Sequence, residues 1–188
     1  MILSFKTQIN GKPTCFIEKI WEGLFRNNFF AGEDTEFLKY FDLYEEKFGN
    51  PWDELPGEKR LEIPKIHTIR EDKNDRWEKG KMIDFFINAR QKDMFRYAPR
   101  IPVVSTQDIF MTHRGSDLEI TIAKVGSYMG GDDFMLDCFQ QGILAKNDGF
   151  DDYEDFRNYF INAIEENGEK TGNYWFSGKI IHWTNFKY

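Results

Sequence analysis

The segment Lys65-Ile66-His67-Thr68-Ile69-Arg70 places an amine, a hydroxyl and a guanidinium close enough in sequence to serve one cleft. An amine can carry a proton, a hydroxyl can attack a carbonyl, and a guanidinium can anchor an oxygen through its planar fork. On a straight strand, residues three apart face opposite sides, so Lys65 and Thr68 meet only if the chain turns between them. Pro64 cannot continue a central strand and favours a turn or strand start at this point. Thr68 and Arg70, two apart, share a face without help. The competing reading is a partly exposed lysine, a strand threonine and a surface ion pair of Arg70 with Glu71 or Asp72.

Other side chains with chemical capacity stand further along. Asp148, in Asn147-Asp148-Gly149, can donate or accept a proton, although turn and helix-cap chemistry also accounts for it. Trp77 and Tyr97 offer rings on which a base can stack. In a chain with 19 phenylalanines, core packing is the rival role for any one ring. His67, His113 and His182 have no Cys or carboxylate neighbours at metal-ligand spacing, so neither a metal nor another cofactor is expected. There is no G-x-x-x-x-G-K-[ST] loop and no G-x-S-x-G elbow. Gly130-Gly131-Asp132-Asp133 reads as an acidic turn unsuited to phosphate.

The elements that must position these residues follow from hydrophobic period. Ile2 to Phe5 reads as a strand, and Asn10-Gly11 as a turn. Thr14, or Pro13 at the first helical position, opens a helix to about Leu24 with Phe16, Ile17, Ile20, Trp21 and Leu24 on one face. A second helix is predicted from Asp34 to about Phe48, and a proline-rich stretch from Pro51 to Pro64 returns the chain to the sheet. Strands follow at Ile66–Ile69, Met82–Ile87, Val103–Met111, Leu118–Val125 and Phe176–Phe186, with a helix over Asp151–Glu166. This order predicts an α+β fold built on a small mixed β-barrel with flanking helices, not a βαβ sheet. One domain spans 1–188, with a helical insertion at 25–64 and a smaller one at 126–144.

The chain has 188 residues, 40% hydrophobic and 30% charged, a globular balance that needs no metal or disulfide to fold. No apolar run is long enough to span a bilayer and the first residues do not read as a signal peptide, so no membrane partner is expected. Cys15 and Cys138, far apart in sequence, read as two buried thiols in a reducing compartment, hence a cytoplasmic protein. Net charge is −7, yet residues 65–100 hold 10 basic and 6 acidic side chains. Such a local basic strip suits a short piece of RNA or a single nucleotide and not a long duplex.

Lys65-Ile66-His67-Thr68-Ile69-Arg70 resembles the K-x-x-T-x-R signature of ASCH-domain proteins, a PUA-like family. It is most similar to the bacterial branch of N4-acetylcytidine amidohydrolases. Trp77-Glu78-Lys79-Gly80-Lys81 occupies the place of the family's F/W-x-x-G-D-x-like turn. Asp148-Gly149-Phe150 with the aromatic-rich helix after it resembles the family's E-G-F/Y step, and Gly178-Lys179-Ile180-Ile181-His182-Trp183 its last barrel strand. The resemblance is loose over Leu3–Leu24 and better over Lys65–Tyr188. Ile63 stands where many members have glycine, aspartate replaces glutamate at 148, and the chain is longer than minimal members.

The resemblance implies a nucleoside- or single-stranded-RNA-binding cleft lined by Lys65, Thr68, Arg70 and Asp148. In its enzymatic form Lys65 would activate the Thr68 hydroxyl toward an acetyl carbonyl, with no metal or cofactor. Asp148, its pKa raised, would protonate the departing cytidine amine. Arg70, Trp77 and Tyr97 would hold the substrate. A non-catalytic RNA-binding module and a protein-interaction role through the 25–64 insertion are the alternatives.

Overall fold

Alternation of apolar and polar residues over Ser105–Arg114 and Asp117–Ile122 buries one face of each strand and folds the pair into a hairpin across Gly115. Around this hairpin, a computed structural model of the chain describes residues 1–29, 35–49, 64–123 and 134–188. The strands are β1 (Ile2–Phe5), β2 (Gln8–Ile9), β3 (Lys12–Pro13), β4 (His67–Arg70), β5 (Met82–Ile87), β6 (Phe95–Arg96), β7 (Ile101–Pro102), β8 (Ser105–Arg114), β9 (Asp117–Ile122), β10 (Phe134–Met135) and β11 (Phe176–His182). The helices are α1 (Phe16–Arg26), α2 (Thr35–Phe48), α3 (Cys138–Asn147) and α4 (Tyr153–Thr171).

The fold is mixed α+β. One sheet runs β10-β9-β8-β11-β4, all antiparallel. A second joins β1 to β5 in parallel, with β6 and β7 antiparallel to β5, and β2 and β3 form a separate two-stranded ribbon. Among the described residues these ladders stay separate and close no ring of strands. Two seams link the two larger sheets. On one side the chain passes from β7 straight into β8, and the Val104 amide donates to the His182 carbonyl. On the other, the Arg70 guanidinium at the end of β4 donates to the Ser4 carbonyl of β1 at 2.8 Å.

Between the sheets lies an aromatic core. Phe5 stacks on Phe85 at 5.9 Å, and Trp183 meets both edge-on at 6.4 and 5.4 Å. Tyr97 completes this packing at 6.2 Å from Phe5 and 6.1 Å from Phe85. Burying these rings is the main stabilising term on this side of the molecule.

Helix α1 starts later than the sequence predicts. Thr14 uses its hydroxyl to bond the Lys6 carbonyl at 2.7 Å, and Cys15 takes the cap position in a left-handed conformation. Of the 25–64 stretch, α2 packs on α1 through Trp21 against Phe37 and Phe41, at 5.8 and 4.4 Å. The Pro51–Ile63 part of the proline-rich return lies outside the described residues, as do 30–34 and 124–133. The region read as a second insertion, 126–144, contains β10 and most of α3 where it is described. Cys138 is exposed and Cys15 partly buried, both as free thiols, so burial of both cysteines is not observed. Among the described residues no helix is long and apolar enough to cross a membrane.

Candidate functional site

Pro64 and Lys65 precede β4, so the chain is not yet a strand at the lysine. The Lys65 amide donates to the Lys19 carbonyl of α1, and the Ile66 amide to the Asn147 carbonyl at the end of α3. These two bonds, at 2.9 and 3.0 Å, turn the segment so that Lys65 and Thr68 line the same pocket. Asp148 reaches that pocket from the C-terminal end of α3. Lys65 and Thr68 from one segment and Asp148 from another border a small cleft with about 30 Å³ of free space, which Phe16, Phe150, Tyr159 and Phe160 wall with rings.

Lys65 is 1% exposed. Its Nζ donates to Asp148 Oδ1 at 2.7 Å and also to the Asp148 carbonyl. The rings of Phe16 and Phe5 lie 4.6 and 5.7 Å from the ammonium. Burial lowers the Lys65 pKa to about 8, against the opposing pull of Asp148. Burial also pushes the Asp148 carboxyl upward, but Lys65 and His67 together outweigh it and hold the group below its ordinary value. Asp148 is therefore ionised at neutral pH. A raised pKa, which a proton-donating Asp148 requires, is not found, because an ammonium sits within hydrogen-bond distance. The side chain does more than cap a helix: Oδ1 also accepts from the Ile69 amide at 3.3 Å. Aspartate is thus long enough to reach the lysine.

Thr68 is 2% exposed, and among the described residues nothing hydrogen-bonds its hydroxyl. Arg70 does not pair with Glu71 or Asp72, which instead meet Lys73 at 3.3 Å and Arg76 at 3.8 Å. Its guanidinium lies 5.1 Å from the Phe5 ring and lines the pocket.

Trp77 and Tyr97 lie outside this pocket. Trp77 is 4% and Tyr97 0% exposed, so neither presents a face to a base. Both are core rings, held there by the apolar area they remove from water. The Trp77 amide is tied to Asp72 Oδ2, and Tyr97 is enclosed between the two sheets.

Several residues of the site were not singled out by the sequence. Lys19 is 3% exposed and bridges the Gly149 carbonyl and Asp151 Oδ1, both at 2.7 Å, so it fixes the turn that carries Asp148. The sequence carried no signal for Lys19, since in the helical period it falls away from the face of Phe16, Ile17, Ile20, Trp21 and Leu24. Gly149 has φ +87, and a Cβ there would stand 3.0 Å from Lys65 Cδ, so the position needs glycine on both counts. His67 lies directly opposite His182 in the β4–β11 register. Its Nε2 faces the Tyr188 hydroxyl at 2.7 Å, and that hydroxyl accepts from Asn147 Nδ2 at 3.0 Å. On the other side of the ring, His67 Nδ1 lies 3.7 Å from Asp148 Oδ1. Burial lowers the pKa of both histidines, His182 to about 2, so the ring cluster behind Asp148 is neutral.

No family model, curated protein or solved structure matches the chain.

The chemistry then rests on the geometry. A buried amine of lowered pKa, an unengaged hydroxyl and an ionised carboxylate border one ring-lined pocket. The amine and the hydroxyl are not hydrogen-bonded to one another. What the arrangement supplies is an amine able to give up its proton and a hydroxyl on the same pocket, with the carboxylate steadying the ammonium. Among the described residues no group of three or more His, Cys, Asp or Glu side chains is placed to hold a metal ion.

Proposed function

We propose that the chain is an ASCH-like nucleoside- or RNA-binding protein whose pocket hydrolyses N4-acylated cytidine. The observation that carries this reading is the convergence of Lys65, Thr68 and Asp148 on one pocket. The two facing sheets, joined by the β7–β8 passage and by the Arg70–Ser4 bond, support a partly open PUA-like barrel. Two free cysteines are in keeping with work in the cytoplasm.

In this reading Lys65, in its neutral form, takes the Thr68 proton as Oγ1 attacks the acetyl carbonyl. The ammonium so formed is steadied by Asp148. It returns the proton to N4 of cytidine as the C–N bond breaks, leaving an acetyl ester on Thr68. Water, deprotonated by the same amine, then cleaves that ester. Lys65 is thus the proton carrier in both directions and Asp148 its counter-charge. A lysine of pKa about 8 is roughly one-tenth neutral at pH 7, which suffices for a general base.

The test is release of cytidine from N4-acetylcytidine by the purified protein, with Lys65→Ala and Thr68→Ala as variants of verified fold. Turnover should rise with pH through about 8, the Lys65 value, and fall at least about a hundredfold in each variant. Cytidine binding without turnover would reduce the protein to a non-catalytic binding module. Neither turnover nor binding would move the weight to protein interaction through the face that carries α2.

A further inference from the structure

Two cations at this pocket have no counter-charge among the described residues. Lys6, just past β1, holds its Nζ 5.3 Å above the Tyr159 ring and makes no ion pair. Arg70 gives one hydrogen bond to a neutral carbonyl, rests on Phe5, and keeps a buried Nε with no partner. The other basic groups nearby are matched: Lys65 with Asp148 and Lys19 with Asp151 at 2.7 Å, Lys12 with Asp155 at 3.0 Å. The basic strip of 65–100 is likewise matched over much of its length, as in Arg100 with Asp84, Lys73 with Glu71 and Lys81 with Glu78.

Acidic side chains outnumber basic ones by 32 to 25. Other described cations also lack a carboxylate, Lys79, Arg90 and Lys92 among them, but Lys6 and Arg70 are the two that border one pocket. Its charged lining is Lys6, Lys65 and Arg70 against Asp148 alone, a local excess of positive charge on an acidic molecule. Both free cations lie against ring faces, which hold them in place before a ligand arrives and reduce the entropy lost on binding. A planar guanidinium beside an ammonium is the donor set that phosphate oxygens fit best.

We propose that Lys6 and Arg70 form an anion subsite at this pocket, and that the ligand carries a phosphate ester beside its base. The base half of this inference rests on the nucleoside reading above; the anion half stands on the charges alone. The phosphate comes either from a mononucleotide or from a single-stranded RNA.

Isothermal titration separates these cases, using cytidine, cytidine 5′-monophosphate, ribose 5-phosphate and a five-residue oligocytidylate at two salt concentrations. The monophosphate should bind at least about tenfold more tightly than cytidine, with the gap shrinking as salt rises. Lys6→Ala, at an exposed position that leaves the core intact, should close most of that gap and leave cytidine binding unchanged. Equal affinity for cytidine and its monophosphate would overturn the anion subsite and spare the nucleoside reading. Binding of ribose 5-phosphate without binding of cytidine would do the reverse. No binding of any ligand would overturn both. Tighter binding of the oligomer than of the monophosphate would assign the phosphate to an RNA strand; equal binding would assign it to a mononucleotide.

Discussion

Lys65 and Asp148 form a buried ion pair whose two halves depend on one another. Desolvating an ammonium is costly, and here the cost is offset by one carboxylate oxygen, one carbonyl and two ring faces. Asp148→Asn removes the charge and leaves the lysine buried without its counter-ion. It should destabilise the fold by about 3 kcal/mol or more and lower the Lys65 pKa further, since burial then acts unopposed. Adding Lys65→Met to that variant removes the orphaned charge and should restore much of the loss. Urea denaturation of the two single variants and the double variant measures this coupling. Losses that simply add would mean that the pair contributes nothing as a pair. The pairing itself is not legible in the sequence, because 83 positions separate the partners and only the fold brings them together. What the local pattern gives is narrower: a proline before a lysine, and a threonine and arginine two apart on a strand.

At the scale of elements, α1 is held against the segment that carries Lys65 by close backbone contact. A Cβ on Gly23 would stand 2.3 Å from the Lys65 carbonyl oxygen, so the helix can approach only where a side chain is missing. Gly23→Ala should push α1 off the segment, cost about 1–3 kcal/mol and disturb Lys65, whose amide is bonded to this helix. Gly142→Ala on α3 is the matched control. Nothing lies within 4 Å of its Cβ position, and alanine should stabilise that helix by about 0.5–1 kcal/mol. Melting temperatures of the two variants, moving in opposite directions, check the argument; a neutral Gly23→Ala would refute the close packing. The same helix α3 marks the limit of sequence reading. Strand β9 and helix α4 are legible because their apolar residues keep a steady period, and β5 because it is a short run rich in isoleucine and phenylalanine. Helix α3 has a weak period and a glycine in its middle, and the sequence reads it as insertion. Its one clear signal is Asp137 followed by Gln140, which form a reciprocal capping box at 2.8 and 2.9 Å. Burial of Trp77 and Tyr97 was equally hidden, since ring type alone does not tell core from surface.

Across the whole molecule, the acid response follows from histidines that the sheet encloses. His67 and His182 stand opposite one another in β4 and β11, with ring centroids 5.3 Å apart and Tyr188 beside both. The charged groups nearest the pair are Asp148 and Lys65 on the His67 side and Lys187 near His182. Neither ring takes a proton in the folded state near neutrality, because burial disfavours the imidazolium. In the unfolded chain each takes one as pH falls through about 6.5. Below that value the unfolded state binds more protons, so stability falls as pH falls, by up to about 1.4 kcal/mol per pH unit for each histidine. Lys65 acts in the alkaline range with the same sign. Its folded pKa is about 8 against an ordinary lysine value of 10.5, so between these values the unfolded state again holds more protons and stability rises with pH. Neither ring nitrogen of His182 has a hydrogen-bond partner among the described residues, and a phenylalanine there would forfeit none. His182→Phe should therefore keep or raise stability at pH 7, since it removes a buried unsatisfied donor. It should also remove up to about 1.4 kcal/mol per pH unit from the acid slope, leaving the share that belongs to His67. Urea midpoints from pH 7 to pH 5 measure both effects. A variant with an unchanged slope would show that His182 is already protonated in the folded state and that the enclosed pair is not the source of acid sensitivity.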